Sequence, residues 1–168
     1  MVKQSATVDS SFWINAHRSG LLAYVLERYS LSYAPAVAAE SKEDFASGRE
    51  FLRLARERVV VEASPRSDAV RAFGPGERDA INLALEHRDW ILLMDDRRPL
   101  LEAQRLGLRT VCTPVLVADL FDERWLNADE ALQALARLAA LQTVCPALIE
   151  AAVAHVGLGW DEGKEEVT

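Results

Sequence analysis

Gly74-Pro75-Gly76-Glu77-Arg78-Asp79-Ala80-Ile81-Asn82-Leu83-Ala84-Leu85-Glu86-His87-Arg88-Asp89-Trp90-Ile91-Leu92-Leu93-Met94-Asp95-Asp96 reads as a loop, a helix and a buried strand that runs into two aspartates. Pro75 and Gly76 break what precedes them, and Ile81, Ala84 and Leu85 fall at i, i+3, i+4, one face of a helix. Glu77 lies one turn before Ile81, on the same inward side. Trp90 to Met94 is a short continuous apolar run, the pattern of a strand covered on both faces. Asp95 and Asp96 stand where that run leaves the core. An inward-facing carboxylate and a carboxylate pair at a strand end can converge, so an acidic metal site is expected there.

Outward from this stretch the chain alternates strands and helices. Ser5 to Asp9 is a short strand ending in an acid, and Ser10 and Ser11 can cap the helix that carries Phe12, Trp13 and Ile14. Gly20 separates it from a second helix, Leu21 to Tyr29, with an apolar stripe. Leu31 to Ala34 makes a short strand, and Pro35 starts a short helix on which Val37 and Glu40 share a face. Residues 41–57 are charged and helical in pattern, with Phe45, Phe51, Leu52 and Ala55 on the buried side. Val59 to Val61 is a β-branched strand, followed by a loop to Pro75. Pro99 to Leu106 continues a helix closed by Gly107, Arg109 to Cys112 gives a fifth strand, and residues 115–122, 128–141 and 146–156 are helical. Parallel strands need crossovers, and crossovers are normally helices, so the expected fold is α/β: a parallel sheet of about five strands with helices on both faces. Residues 1–158 are read as a single domain and 159–168 as a charged tail expected to be disordered.

With half of its 168 residues apolar, the chain can bury a sizeable core. No apolar stretch reaches the ~18–20 residues of a membrane span, and the amino terminus has no signal-peptide core, which leads to the expectation of a cytoplasmic protein without a membrane partner. Cys112 and Cys145 lack metal-ligand spacing and are read as reduced thiols. A net charge of −7 argues against a protein that holds nucleic acid through a broad basic surface. It leaves room for a nuclease that gathers carboxylates around bound cations.

In an open parallel sheet, ligands bind beyond the carboxyl ends of the strands where the strand order reverses. Asp9, Asp95 and Asp96 occupy such ends, with Asp9 and Asp95 expected on adjacent strands, and Glu40 and Glu77 can lean over the same edge. Four or five acids together repel unless a divalent cation neutralises them, and hard oxygen ligands suit Mg²⁺ or Mn²⁺. Each acid also has a plainer role: Asp9 as a helix cap, Glu77 as a first-turn acid favoured by the helix dipole, Glu40 as a solvated residue, Asp95-Asp96 as a turn. Arg66, Arg71, Arg97 and Arg98 are candidates for positioning phosphates or, singly, solvated charges.

The motifs Asp9-Ser10-Ser11, Pro35-Ala36-Val37-Ala38-Ala39-Glu40, Gly76-Glu77-Arg78-Asp79-Ala80-Ile81 and Leu92-Leu93-Met94-Asp95-Asp96 resemble those of the PIN domain, the three-layer ribonuclease fold of VapC-type toxins. The similarity runs from about Thr7 to Phe121. It implies a divalent-metal-dependent endoribonuclease acting on single-stranded RNA, possessing an acidic quartet of Asp9, Glu40, Glu77 and Asp95 with Asp96 as an additional ligand. Ser11 matches a small polar residue that supports the first aspartate. Toxins of this type pair with an antitoxin protein. The chain departs from the family pattern at Cys112-Thr113, where Gly-Thr is common, and in the long charged segment from Ser41 to Pro75.

Two other classes compete. A response-regulator receiver also gathers acids at the edge of a five-stranded parallel sheet, but its acidic pair follows the first strand and a lysine follows the last, unlike this chain. A PIN-like protein that binds without cleaving is the other. The apolar helices from Ala128 to Val156 exceed what a small sheet requires, which leads to the expectation of a homodimer or an antitoxin-binding groove unless they complete the monomer's own core.

Overall fold

β1 (Gln4–Val8) is the middle strand of the sheet, and its last three residues are fully enclosed. The computed structural model describes residues 2–165. β1 pairs in parallel with β2 (Tyr29–Tyr33) on one side and β4 (Ile91–Leu93) on the other; β3 (Val61–Glu62) and β5 (Arg109–Val111) are the edges. The order is β3-β2-β1-β4-β5. The chain winds outward from β1 through β2 to β3, then restarts beside β1 and winds the other way. The reversal therefore lies between β1 and β4, and their carboxyl ends carry Asp9 and Asp95.

Side-chain alternation divides the core. Ala6, Val8, Leu31, Ile91, Leu93 and Val111 face one side, where α1 (Ser10–Ser19), α2 (Leu22–Arg28), α7 (Thr113–Asp122), α8 (Ala128–Leu141) and α9 (Pro146–Glu165) pack. Leu92, Met94 and Cys112 face α5 (Pro75–Glu86) and α6 (Arg97–Arg105). The sheet is thus a layer between two helical layers, as expected of an α/β fold, and β4 reads as a continuous apolar run because both of its faces are covered. α3 (Pro35–Glu40) and α4 (Ala46–Arg56) lie between β2 and β3 in the chain.

Local chemistry sets the helix ends. Gly20 closes α1 in the left-handed region (φ 82°), a backbone conformation that an L side chain would strain. Asn127 and Glu130 form a reciprocal capping box at the start of α8. The long loop before α5 is pinned along that helix: Asn82 accepts from the Val70 N–H and donates to the Val70 carbonyl, while Glu86 accepts from the Arg66 and Ser67 N–H groups.

Several boundaries differ from the sequence-based expectation. Tyr29, placed there at the end of a helical stripe, instead begins β2 opposite Gln4, where the strand ladder outweighs helical periodicity. Of the valine run 59–61, only Val61 pairs in the sheet; the Val59 and Val60 N–H groups both turn back to the Leu54 carbonyl and close α4. Phe45, expected on the buried side, is 62% exposed because α4 begins only at Ala46 and Phe45 stands in the turn before it. α9 continues to Glu165, into the stretch assigned to a disordered tail from 159; residues 166–168 lie outside the described residues. The helices 128–156 contribute Ala131, Leu135, Leu138, Ile149 and Val156 to the monomer's own core. Among the described residues no helix is long and apolar enough to cross a membrane.

Candidate active site

Asp9, the residue that follows β1, is fully buried and caps α1: its Oδ1 accepts from the Phe12 N–H at 2.9 Å. Ser11 Oγ lies against both Asp9 oxygens, at 2.9 and 2.7 Å, and the Asp95 N–H donates to Ser11 Oγ at 3.4 Å. One hydroxyl thus bridges the two strand ends on either side of the switch point. Asp95 is also buried, and its carboxylate is held from three directions: Oδ1 accepts from the Thr113 N–H (2.7 Å), and Oδ2 accepts from Asn15 Nδ2 (2.7 Å) and Thr113 Oγ1 (2.9 Å).

Glu40 reaches in from the end of α3. Its Oε2 accepts from Ser10 Oγ, beside Asp9, and its Oε1 accepts from the Gly76 N–H at 2.9 Å, beside Glu77. Gly76 leaves room for this contact: a Cβ there would overlap the Glu40 carboxylate where it now stands. Glu77 caps its own helix through the Gly74 N–H (2.8 Å) and also stands within hydrogen-bonding reach of Asp96, the half-buried residue that opens α6. The five acids Asp9, Glu40, Glu77, Asp95 and Asp96 are therefore linked in one cluster through Ser10, Ser11 and Gly76. The roles of Asp9 and Glu77 as caps and as members of the cluster are not alternatives; each does both.

Burial opposes charge at the three aspartates. Desolvation pushes the Asp9 carboxyl well above its ordinary range, and Asp95 and Asp96 add like-charge repulsion, against lowering by the Phe12 N–H and Ser11. Desolvation also raises Asp95, resisted by its bonds from Thr113 and Asn15. Asp96 is pushed up to about 6 by burial, the hydrogen bond with Glu77, and the charges of Glu77, Asp95 and Glu40. A proton on Asp96 at that value substitutes for the positive charge that the cluster lacks.

The chemistry of these donors fits a hard divalent cation. All are carboxylate oxygens, and acids crowded enough to retain a proton gain most from a cation's neutralising charge. Among the described residues no three acids, histidines or cysteines close around a point as a ready-made metal cage. Mg²⁺ does not need one, because it keeps several waters and uses only one or two carboxylates. Asp9 Oδ2, bonded only to Ser11, and Asp95 Oδ1, bonded only to the Thr113 N–H, are the freer oxygens of the buried pair, whereas Asp95 Oδ2 already accepts two bonds.

Asn15, Thr113 and Ser10 were not anticipated as parts of the site. A signal existed for the first: Ser11, Asn15 and Ser19 recur at i, i+4, i+8 and form a polar line along a helix whose other buried residues are apolar. Asn15 is oriented in turn by Thr143, whose Oγ1 donates to Asn15 Oδ1 at 2.7 Å. Among the arginines, Arg97 and Arg98 stand exposed beside Asp96. Arg66 does not approach the acids: its backbone is tied to Glu86, nine residues along α5 from Glu77 and so about 13 Å down the helix axis. Arg71 is 81% exposed and paired with Asp68.

Comparison with known proteins agrees with this architecture. No curated protein matches the sequence. Among solved structures, the chain is similar to the PIN domain endonuclease Utp24, at 12% identity and a TM-score of 0.50 over 65% of this chain and 84% of that one, a likeness of fold. The family model DUF3368, described as a PIN domain, matches residues 5–156, from the start of β1 to the middle of α9. PIN domains are generally nucleases, so the match supports a nuclease-type function in general terms. With a match over nearly the whole described chain, the protein belongs to the DUF3368 family of PIN domains.

Proposed function

We propose that the protein is an endoribonuclease that depends on Mg²⁺ or Mn²⁺ and cleaves single-stranded RNA at the β1/β4 switch point. The observation that carries this reading is the gathering of Asp9, Glu40, Glu77, Asp95 and Asp96 at one end of the sheet, where Asp9, Asp95 and Asp96 are enclosed at the expense of their ionisation. Such an arrangement is unfavourable for the fold alone and becomes favourable with a bound cation. A divalent ion supplies there an activated water and charge stabilisation on a phosphodiester. Asp9, Glu77 and Asp96 present the available oxygens; Glu40 joins them while tied to Ser10 and Gly76. Asp95, fixed by Thr113 and Asn15, sets the position of the pair it forms with Asp9. Arg97 and Arg98 can meet the backbone phosphates flanking the site.

The hydrogen bonds that saturate Asp95 Oδ2 favour a second reading, a PIN domain that binds without cleaving. One experiment separates them: cleavage of single-stranded RNA with Mn²⁺, with and without EDTA, by the wild type and by Asp9→Asn, alongside calorimetric titration with Mn²⁺ alone. The nuclease reading expects Mn²⁺ binding that Asp9→Asn weakens, and cleavage that EDTA abolishes and the variant lowers by at least about a hundredfold. Activity indifferent to EDTA removes the metal mechanism. Mn²⁺ binding with no cleavage of any RNA supports the binding-only reading.

A further inference from the structure

A cleft of about 770 Å³ opens beside the acids, between α1 and the start of α4. Its inner end is formed by Ser10 and Glu40, which also belong to the carboxylate cluster, so the cleft is continuous with the proposed site of cleavage. Beyond Glu40 its lining carries no other acid but includes Arg18 and Lys42, which form no ion pair among the described residues. In a chain of net charge −7, that is a local reversal of sign. The floor is Trp13, whose indole N–H is already used by the Ser47 carbonyl. Phe45, 62% exposed, lines the cleft together with Ala46, Ser47 and Gly48, the first residues of α4. An exposed aromatic in one cleft with two cations suits a nucleic-acid strand: bases stack on the ring and phosphates meet the charges.

We propose that this cleft receives the single-stranded RNA segment adjoining the cleaved bond, with Phe45 as base-stacking platform and Arg18 and Lys42 as phosphate contacts. The assignment rests on the ribonuclease reading above and adds the path by which the strand reaches it. Glu40 at the inner end would repel a phosphate unless neutralised. The strand is therefore held at the cationic mouth and led inward only to a neutralised acidic edge.

Binding of a fluorescein-labelled oligouridylate of about twelve nucleotides, read by anisotropy in EDTA and again with Mg²⁺ in an Asp9→Asn background, tests this. Phe45→Ala should weaken binding about tenfold and Phe45→Trp should restore it. Arg18→Gln and Lys42→Gln should each reduce the slope of log affinity against log salt by about 0.7, one phosphate contact apiece, whereas Arg88→Gln, in the turn before β4 at the opposite edge of the sheet, leaves it unchanged. Equal effects from all three charge substitutions, or no oligouridylate binding in either condition, overturn the proposal. So does binding of an oligoglutamate peptide that Lys42→Gln abolishes while RNA affinity ignores the cleft variants, since the occupant is then a protein segment. Cleavage whose KM is indifferent to Phe45 sinks the cleft and leaves the nuclease; cleft-dependent binding without wild-type cleavage does the reverse.

Discussion

Asp95 and Asp9 illustrate two ways of holding a buried carboxylate. Asp95 is fixed by three donors, so removing one leaves a buried oxygen short of a partner, typically at about 1–3 kcal/mol. Asn15→Ala should therefore lower stability by about that amount, measured by urea denaturation, and it also strands Thr143 Oγ1. Asp9 is held more loosely against a large desolvation cost, so the isosteric amide should relieve it. Asp9→Asn is expected to melt higher than the wild type in EDTA near neutral pH while losing cleavage; a lower melting temperature would mean that the cap to Phe12 outweighs desolvation. The acids themselves were legible in the sequence because each sits at a strand end or in a helix's first or last turn. The roles of Asn15 and Thr113 were not, because neither the polar line on α1 nor the Thr of the Cys112-Thr113 pair says which carboxylate it faces until the fold brings it to Asp95.

At the level of elements, α3 and α5 meet where Glu40 accepts from the Gly76 N–H, and the glycine is there for space rather than for backbone freedom. The atoms a new Cβ would meet are the far end of a flexible side chain, so Glu40 can swing away, and alanine suits a helix better than glycine by about 1 kcal/mol. Gly76→Ala should accordingly leave the melting temperature equal or slightly raised and yet reduce cleavage about tenfold or more, a separation of stability from activity. A parallel fall in both would show that the helix start itself had been distorted. Element type followed from sequence wherever apolar periodicity was long, as in α5 and α8. It failed where an element was short and its partner distant in the chain: β2 starts at Tyr29 only because Gln4 is opposite, and β3 is two residues because only Ser32 and Tyr33 pair with it. Phe45 belongs with these. Its place in the 41–57 pattern suggested burial, while the turn before α4 presents it to solvent at the cleft.

For the molecule as a whole, the acidic cluster couples folding to protons and to divalent ions. Asp9, Asp95 and Asp96 all have carboxyls raised above the ordinary range, so across that window the folded chain binds more protons than the unfolded one. The stability this confers is fully present below the unfolded carboxylate value. It is lost as pH rises through the folded one, which is about 6 for Asp96. Partly exposed acids held low by arginines, Glu50 and Glu102, act in the opposite direction but weakly, being screened by solvent. In EDTA the wild type should thus lose melting temperature between about pH 4 and pH 7, and Asp96→Asn should lose less, because one of the titrating groups is gone. Mg²⁺ or Mn²⁺ should restore the wild type at the upper end and do little at the lower, where protons already occupy the oxygens. Wild type and Asp96→Asn melting in parallel across this range would show that Asp96 ionises without strain. A metal-induced rise equal at both ends would place the ion away from these acids, and with it the chemistry assigned to the β1/β4 edge.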